Sequence, residues 1–221
     1  MTTGTIKGYR GMGMEGAVAR WYDRNTRKDM QRFRTLAERL RTVLPQGGDV
    51  LEVAPGPGFF AIEMAKGRAY RVTGLDVSRT MVELARANAG EAGVDVDFRL
   101  GNASAMPFAD DSFDLLACSA AFKNFSEPHK ALEEMYRVLR PGGNALVVDL
   151  RSDVPMSEIR KYFGALELST INRWISLVTF RFLLLKRAYT QGQFERMLAD
   201  IPFRSIEIRG ADIGVELWLE K

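Results

Sequence analysis

The sequence predicts an α/β fold in which a parallel sheet is covered by helices on both faces. Three observations carry that prediction. Five short apolar runs alternate with segments of helical periodicity. Those runs are nearly continuous in their apolar character, as strands buried on both faces require. The last two strand patterns, 203–209 and 213–220, are separated only by the link 210–212, which reads as an antiparallel hairpin at a sheet edge.

The elements follow in order. Residues 1–16 contain Gly4, Gly8, Gly11, Gly13 and Gly16, and read as mobile unless something orders them. One long basic helix is expected from about Val18 to Leu44, with Met30, Phe33, Leu36, Ala37, Leu40 and Leu44 in a single apolar stripe. Pro45 and Gly47-Gly48 end it. The segment DVLEVAPGPGFFAIEMAK, 49–66, is the pivot of the chain: a short apolar strand, a turn bearing Gly56 and Gly58, then a helical pattern. A helix N-terminus offers free N–H groups, and glycines let a ligand approach the backbone, so this order makes a nucleotide-type cradle. A second strand, 70–75, runs into Asp76; Ser78 is the expected N-cap of the next helix, which carries Met81, Leu84, Ala85 and Asn88. Residues 95–100 alternate as a third strand, 107–111 form a turn, and 113–118 form a buried fourth strand. Pro128 opens a helix that Pro141-Gly142-Gly143 is expected to close, leaving 145–150 as the fifth strand. The alternation breaks at 151–190, where 169–189 is a strongly apolar helical pattern interrupted by Arg173 and Arg181. A helix at 191–199 precedes the closing hairpin.

Composition bounds the function. A length of 221 residues, 46% hydrophobic and 27% charged, describes one generous globular domain, or one domain with a small accessory piece. No apolar run reaches the eighteen residues a membrane span needs, and the N-terminus lacks the apolar core of a secretory signal. The single cysteine, Cys118, cannot form an internal disulfide, so a reducing, cytoplasmic location is expected. The net charge of +3 is uneven: residues 1–44 carry ten Lys/Arg against four Asp/Glu, and 45–150 carry ten against fifteen. Basic flanks around an acidic centre suit either an anionic partner or plain solvated helix faces. One histidine and one cysteine leave no metal-ligand spacing, so no metal is expected. The basic N-terminal helix lacks the interleaved aromatics of a nucleic-acid platform, which ranks a macromolecular substrate below a small one.

The glycine turn is informative in company. Asp76 ends the next strand at a spacing that brings a carboxylate onto a ribose diol, although capping of the following helix is an alternative for it. The pattern Glu52-Val-Ala54-Pro55-Gly56-Pro-Gly58 resembles the E/D-x-G-x-G-x-G turn of class I S-adenosylmethionine-dependent methyltransferases, with Ala54 where that family usually has its first glycine. Gly101-Asn102-Ala103-Ser104-Ala-Met-Pro107-Phe108 and Asp111-Ser-Phe113-Asp114 are similar to that family's G-D-A-x-x-L-P-F…D-x-S-F-D block. Tyr136-Arg-Val-Leu-Arg140-Pro-Gly-Gly143 matches its approach to strand five, and 121–128 is similar to the ubiquinone/menaquinone C-methyltransferase branch.

The resemblance implies a Rossmann-like seven-stranded methyltransferase sheet, mostly parallel with one antiparallel strand, in 45–221. Residues 1–44 would form a cover and 151–190 a helical lid insert. It implies S-adenosylmethionine as donor and S-adenosylhomocysteine as product. Glu52 would face the methionine ammonium, Gly56 and Gly58 would admit the nucleoside, and Asp76 with Val77 would meet the ribose. Met81 and Phe108 would flank the adenine or simply pack. Asn102, Ala103 and Ser104 would read the adenine edge, the Asn102 amide oxygen replacing the family's acid. Ala54 would tighten the approach; Pro55, Ser119 and Ala120 complete the expected donor site. Phe122, Lys123, Asn124, Arg151, Arg173 and Trp174 are substrate-side candidates, and Tyr9, Tyr22, Asp23, Lys123, Asn124 and His129 are rival acid–base candidates. The expected reaction is in-line transfer of a methyl group to a small lipophilic or aromatic acceptor, driven by alignment and desolvation. An RNA- or protein-modifying methyltransferase and a non-catalytic cofactor-binding regulator are the alternatives. The apolar 151–190 insert is read as a lid, then as a homodimer face, and last as a membrane-surface helix.

Overall fold

The computed structural model describes residues 8–10, 13–67, 69–165 and 185–221. These form a seven-stranded sheet of order β3-β2-β1-β4-β5-β7-β6. Strands β1 (Gly48–Val53), β2 (Tyr70–Asp76), β3 (Asp97–Leu100), β4 (Phe113–Ser119) and β5 (Leu139–Leu150) are mutually parallel. Strand β7 (Gly214–Glu220) runs antiparallel to both β5 and the edge strand β6 (Ser205–Ala211). The expected sheet, its antiparallel strand and its terminal hairpin are all present.

Leu115 and Leu116, neighbours on β4 and fully buried, show how the sheet is covered: their side chains enter opposite cores. Leu115 joins Phe59, Phe60, Met64, Val72 and Phe98 beneath α2 (Met30–Val43), α3 (Phe59–Ala65) and α4 (Arg79–Ala92). Leu116 joins Leu132, Met135, Phe194 and Leu217 beneath α5 (Pro128–Val138) and α7 (Gln191–Leu198). Each such leucine contributes about 1.5–3 kcal/mol by leaving water. At the far end of β1 from the glycine turn, Asp49, Asp114, Arg71 and Arg140 form one ion-pair network that closes the strand starts.

Two expected boundaries are corrected. The N-terminal helix is not continuous: α1 (Gly16–Thr26) and α2 are separated by a 3-10 turn at Arg27–Asp29. The apolar stripe begins only at Met30, and α1 buries a different set, Ala19, Asp23 and Thr26, so the two halves must pack in different directions. Arg27 fixes the bend by donating to Asn88 (2.5 Å) and Glu91 (3.2 Å) on α4. Strand β5 starts at Leu139 rather than after the Pro-Gly-Gly segment, because Leu139 already pairs with Phe113. The register then shifts before Leu115 pairs with Asn144, so Pro141 and Gly142 sit in an irregular stretch of strand instead of a helix stop. Within the insert, α6 spans Met156–Ala165. The apolar pattern at 166–184, with Arg173 and Trp174, lies outside the described residues. No helix among the described residues is long and apolar enough to cross a membrane.

Candidate functional site

The strand order reverses between β1 and β4, so a crevice opens beyond their C-terminal ends, where open α/β sheets bind ligands. The turn after β1 fills one wall. Ala54 N–H donates to Leu75 O (2.8 Å), tying the turn to β2, and Gly58 N–H donates to Pro55 O (3.0 Å), with Pro55 buried. The two retained glycines do different work. A Cβ on Gly56 would find only the Tyr22 ring, 3.8 Å away, so this is the position that faces space. A Cβ on Gly58 would stand 2.6 Å from Phe98 and 2.9 Å from Ala85, so Gly58 lets α3 pack on α4 and β3. Ala54 takes the left-handed conformation a first glycine would take, φ 57°, and packs against the buried cluster containing Val53 and Leu75.

Two buried carboxylates stand at adjacent strand ends. Glu52 Oε2 accepts from Ala61 N–H in the first turn of α3 (2.9 Å). Burial, with the Asp76 charge adding to it, pushes its carboxyl up to about 8. Asp76 accepts from Gly56 N–H (2.9 Å) and Ser78 N–H (2.8 Å), and burial raises it to about 6 despite those bonds. Ser78 caps α4 through Met81 N–H as expected, so Asp76 braces the turn before the helix rather than capping it. Val77 is half-buried and Met81 buried. Next along the sheet, Asn102 pairs with Ala105 and its Oδ1 accepts from Ser104 N–H (3.0 Å); Ala103 is buried behind it. Phe108 packs edge-on against Phe113, with centroids 5.0 Å apart.

The N-terminal segment crosses this crevice as a strap. Tyr9 bridges to Phe125, Arg10 N–H donates to Asn124 O (2.7 Å), and Ser126 N–H donates to Gly8 O (3.2 Å). Gly8 lies so flat on the Asn102 amide that a Cβ would stand 2.9 Å from it. Farther along, Ser78 Oγ donates to Met14 O (2.6 Å), and the Glu15 carboxylate accepts from Arg79 N–H and Thr80 N–H at the start of α4. The expected mobile lead-in is thus tied down at residues 8–10 on one side of the crevice and at 14–15 on the other. Burial raises the Tyr9 hydroxyl against the opposing pull of Arg187, with Tyr22 and Asp76 also pushing it up.

Several expected site residues are elsewhere or otherwise engaged. Asp23 is buried and accepts from Asn88 Nδ2 (3.0 Å), which also donates to Pro57 O (2.9 Å), so it braces α1 against the glycine turn. His129 opens α5 and pairs with Asp200 (2.9 Å), which raises its pKa and places it on a groove lined by Tyr189, Gln193 and Arg196. Phe122 is wholly buried among Phe125, Tyr189 and Phe194, so it packs in the core and presents no contact surface. Lys123 is buried and paired with Asp149, and Arg151 pairs with Asp153 while bridging to Tyr189. Ser119 is half-buried and Ala120 exposed just past β4. Cys118 is buried, and burial raises its thiol well above the ordinary range, as packing rather than nucleophilic use requires. Sequence reasoning missed Glu15, Asn88, Asp149 and Tyr189. Asp149 had a signal, being the only charge in the run ALVVDL.

The residues suit the expected donor. Glu52 and Asp76 are desolvated acids with raised pKa values, and a ligand bringing an ammonium and a diol supplies the cation and donors that would favour their charged forms.

Comparison with known proteins is consistent with this geometry. Residues 51–147 match the family described as "Methyltransferase domain". The ubiquinone/menaquinone biosynthesis C-methyltransferase of Roseobacter denitrificans is 29% identical over 179 residues, covering 76% of this chain and 71% of that protein. The enzyme of the same name from Escherichia fergusonii is 29% identical over 181 residues, covering 77% and 72%. A crystal structure of a putative S-adenosyl-L-methionine-dependent methyltransferase from Methanococcus maripaludis superposes with a TM-score of 0.75 at 22% identity, covering 96% and 97%, and shares the fold.

Proposed function

Since the chain is a class I S-adenosylmethionine-dependent methyltransferase, we propose that it methylates a small lipophilic or aromatic acceptor that carries an oxygen function. The observation that carries this reading is the strap: with Gly8 on Asn102 and Arg10 on Asn124, the crevice is roofed by the chain itself, which suits a small acceptor better than a polymer. Tyr189 Oη, buried without a hydrogen-bond partner, supports an oxygen on that acceptor, because an unpaired buried hydroxyl gains most from a new partner. The curated relatives named for quinone C-methylation support the same class.

The donor supplies an electrophilic methyl group. Glu52 would hold its ammonium, Asp76 its ribose hydroxyls, and Asn102 with Ala103 its adenine edge. Gly56 would leave room for the nucleoside, and Ser119 and Ala120 would border the methionine end. Tyr9 and Tyr22 would exclude water from above. Catalysis then rests on alignment and desolvation, and an acceptor that is already nucleophilic needs no protein base. A labelled-methyl screen across phenols, quinones, amines, thiols and carboxylates tests the assignment. Transfer to a phenol or quinone is the expected result; transfer confined to RNA or protein would overturn the small-acceptor reading.

A further inference from the structure

Beyond β4 the chain reverses through Ala120, which has φ 58° and no glycine's freedom. Three hydrogen bonds from Lys123 surround that reversal. Its Nζ donates to Ala120 O (2.6 Å) and to Asp149 Oδ1 (2.9 Å), and its backbone N–H donates to Asp149 Oδ2 (2.8 Å). The side chains of the pair are only 9% and 1% exposed. A buried ion pair gives weak net stability, because desolvation offsets attraction, and an apolar pair of similar volume would fold as well or better. Packing alone therefore does not account for an ion pair here. What the pair does add is geometric: it fixes the carbonyl of the left-handed residue and the 3-10 turn Phe122–Asn124 in one unit with the end of β5. Asn124, the last residue of that turn, gives its carbonyl to Arg10 N–H of the strap.

We propose that Lys123 and Asp149 are positioning residues, which hold the Ser119–Ala120 edge of the donor crevice and the strap's anchor at Asn124 in register with each other. The proposal rests on the methyl-donor reading for the crevice, but its effect on the strap does not.

The test compares the full chain with Lys123→Met/Asp149→Leu, reading thermal stability, calorimetric affinity for S-adenosylhomocysteine, and hydrogen exchange at the Arg10 amide. The expected double variant melts near the parent, binds S-adenosylhomocysteine at least tenfold more weakly, and loses Arg10 protection. Lys123→Arg, which restores a cationic donor, is expected to recover most of both. Parent-like affinity and Arg10 protection in the folded double variant would overturn the proposal. If the parent itself binds no S-adenosylhomocysteine, the methyl-donor reading fails, and Arg10 exchange alone decides the positioning claim. Should the double variant not fold, Lys123→Gln is read by the same two measurements, with parent-like values again overturning the claim.

Discussion

Ala54 holds φ 57°, and for a residue with a Cβ that backbone costs about 1–2 kcal/mol. Ala54→Gly relieves the strain but frees the unfolded chain, so a net gain of up to about 1 kcal/mol is expected in chemical denaturation. Gly58→Ala works the other way. Its φ of 79° and the 2.6 Å approach to Phe98 predict a loss of about 2–5 kcal/mol in the same measurement. Asp76→Ala is expected to weaken donor binding by about 1–3 kcal/mol in calorimetry, and unchanged affinity would remove Asp76 from the site. The two buried acids also set a pH dependence. Their folded pKa values lie above their ordinary ones, so the stability they give is complete below about pH 4. It is lost as pH rises towards about 6 for Asp76 and about 8 for Glu52. Ligand-free protein is therefore expected to melt lower at pH 8 than at pH 5. The shift on adding S-adenosylhomocysteine should grow over that interval, since its ammonium favours the ionised acids, and Glu52→Gln should flatten both trends.

The strap and the broken helix carry the element scale. Glu15 joins the strap to α4 by capping the first two backbone N–H groups of that helix. Removing such a cap costs about 1 kcal/mol, so Glu15→Ala is expected to raise hydrogen exchange at residues 13–16 by several-fold while leaving the core amides unchanged. These elements also mark where sequence reading succeeds. The glycine turn, the Ser78 cap and the β6–β7 hairpin are built from contacts within a few residues, and their chemistry stands in one contiguous segment. The break at Arg27–Asp29 depends on Asn88 and Glu91, more than sixty residues away, and the start of β5 depends on Phe113. No local signal records either one. Asp23 and Lys123 likewise find their partners, Asn88 and Asp149, far along the chain, so no local segment shows how they are engaged.

At the scale of the whole molecule, the first and last parts of the chain are clasped together. Arg39 on α2 makes a bidentate pair with Glu216 on β7 at 2.5 and 2.6 Å and lies over the Trp218 ring. Because Arg39 remains partly exposed, a double-mutant cycle on this pair is expected to return only about 1 kcal/mol of coupling. The alternation of strands and helices and the antiparallel closing hairpin were legible from the sequence, since they follow from ordered blocks of apolar runs and turns. A cover from residues 1–44 was expected, but its anchors on Asn124, Ser126 and Ser78 were not legible, because scattered glycines state only that a chain can bend. That roof carries a consequence for how the protein is made. Gly8 to Arg10 are made well before the residues that hold them, Asn124, Ser126 and, through its guanidinium on Arg10 O, Arg187. At about 5–20 residues per second, the strap waits roughly 10–40 s for its last partner to be synthesised. The roof is thus a late addition in synthesis: its Gly8–Arg10 part meets its backbone partners only once Asn124 and Ser126 exist, and the bond to Arg187 comes later still.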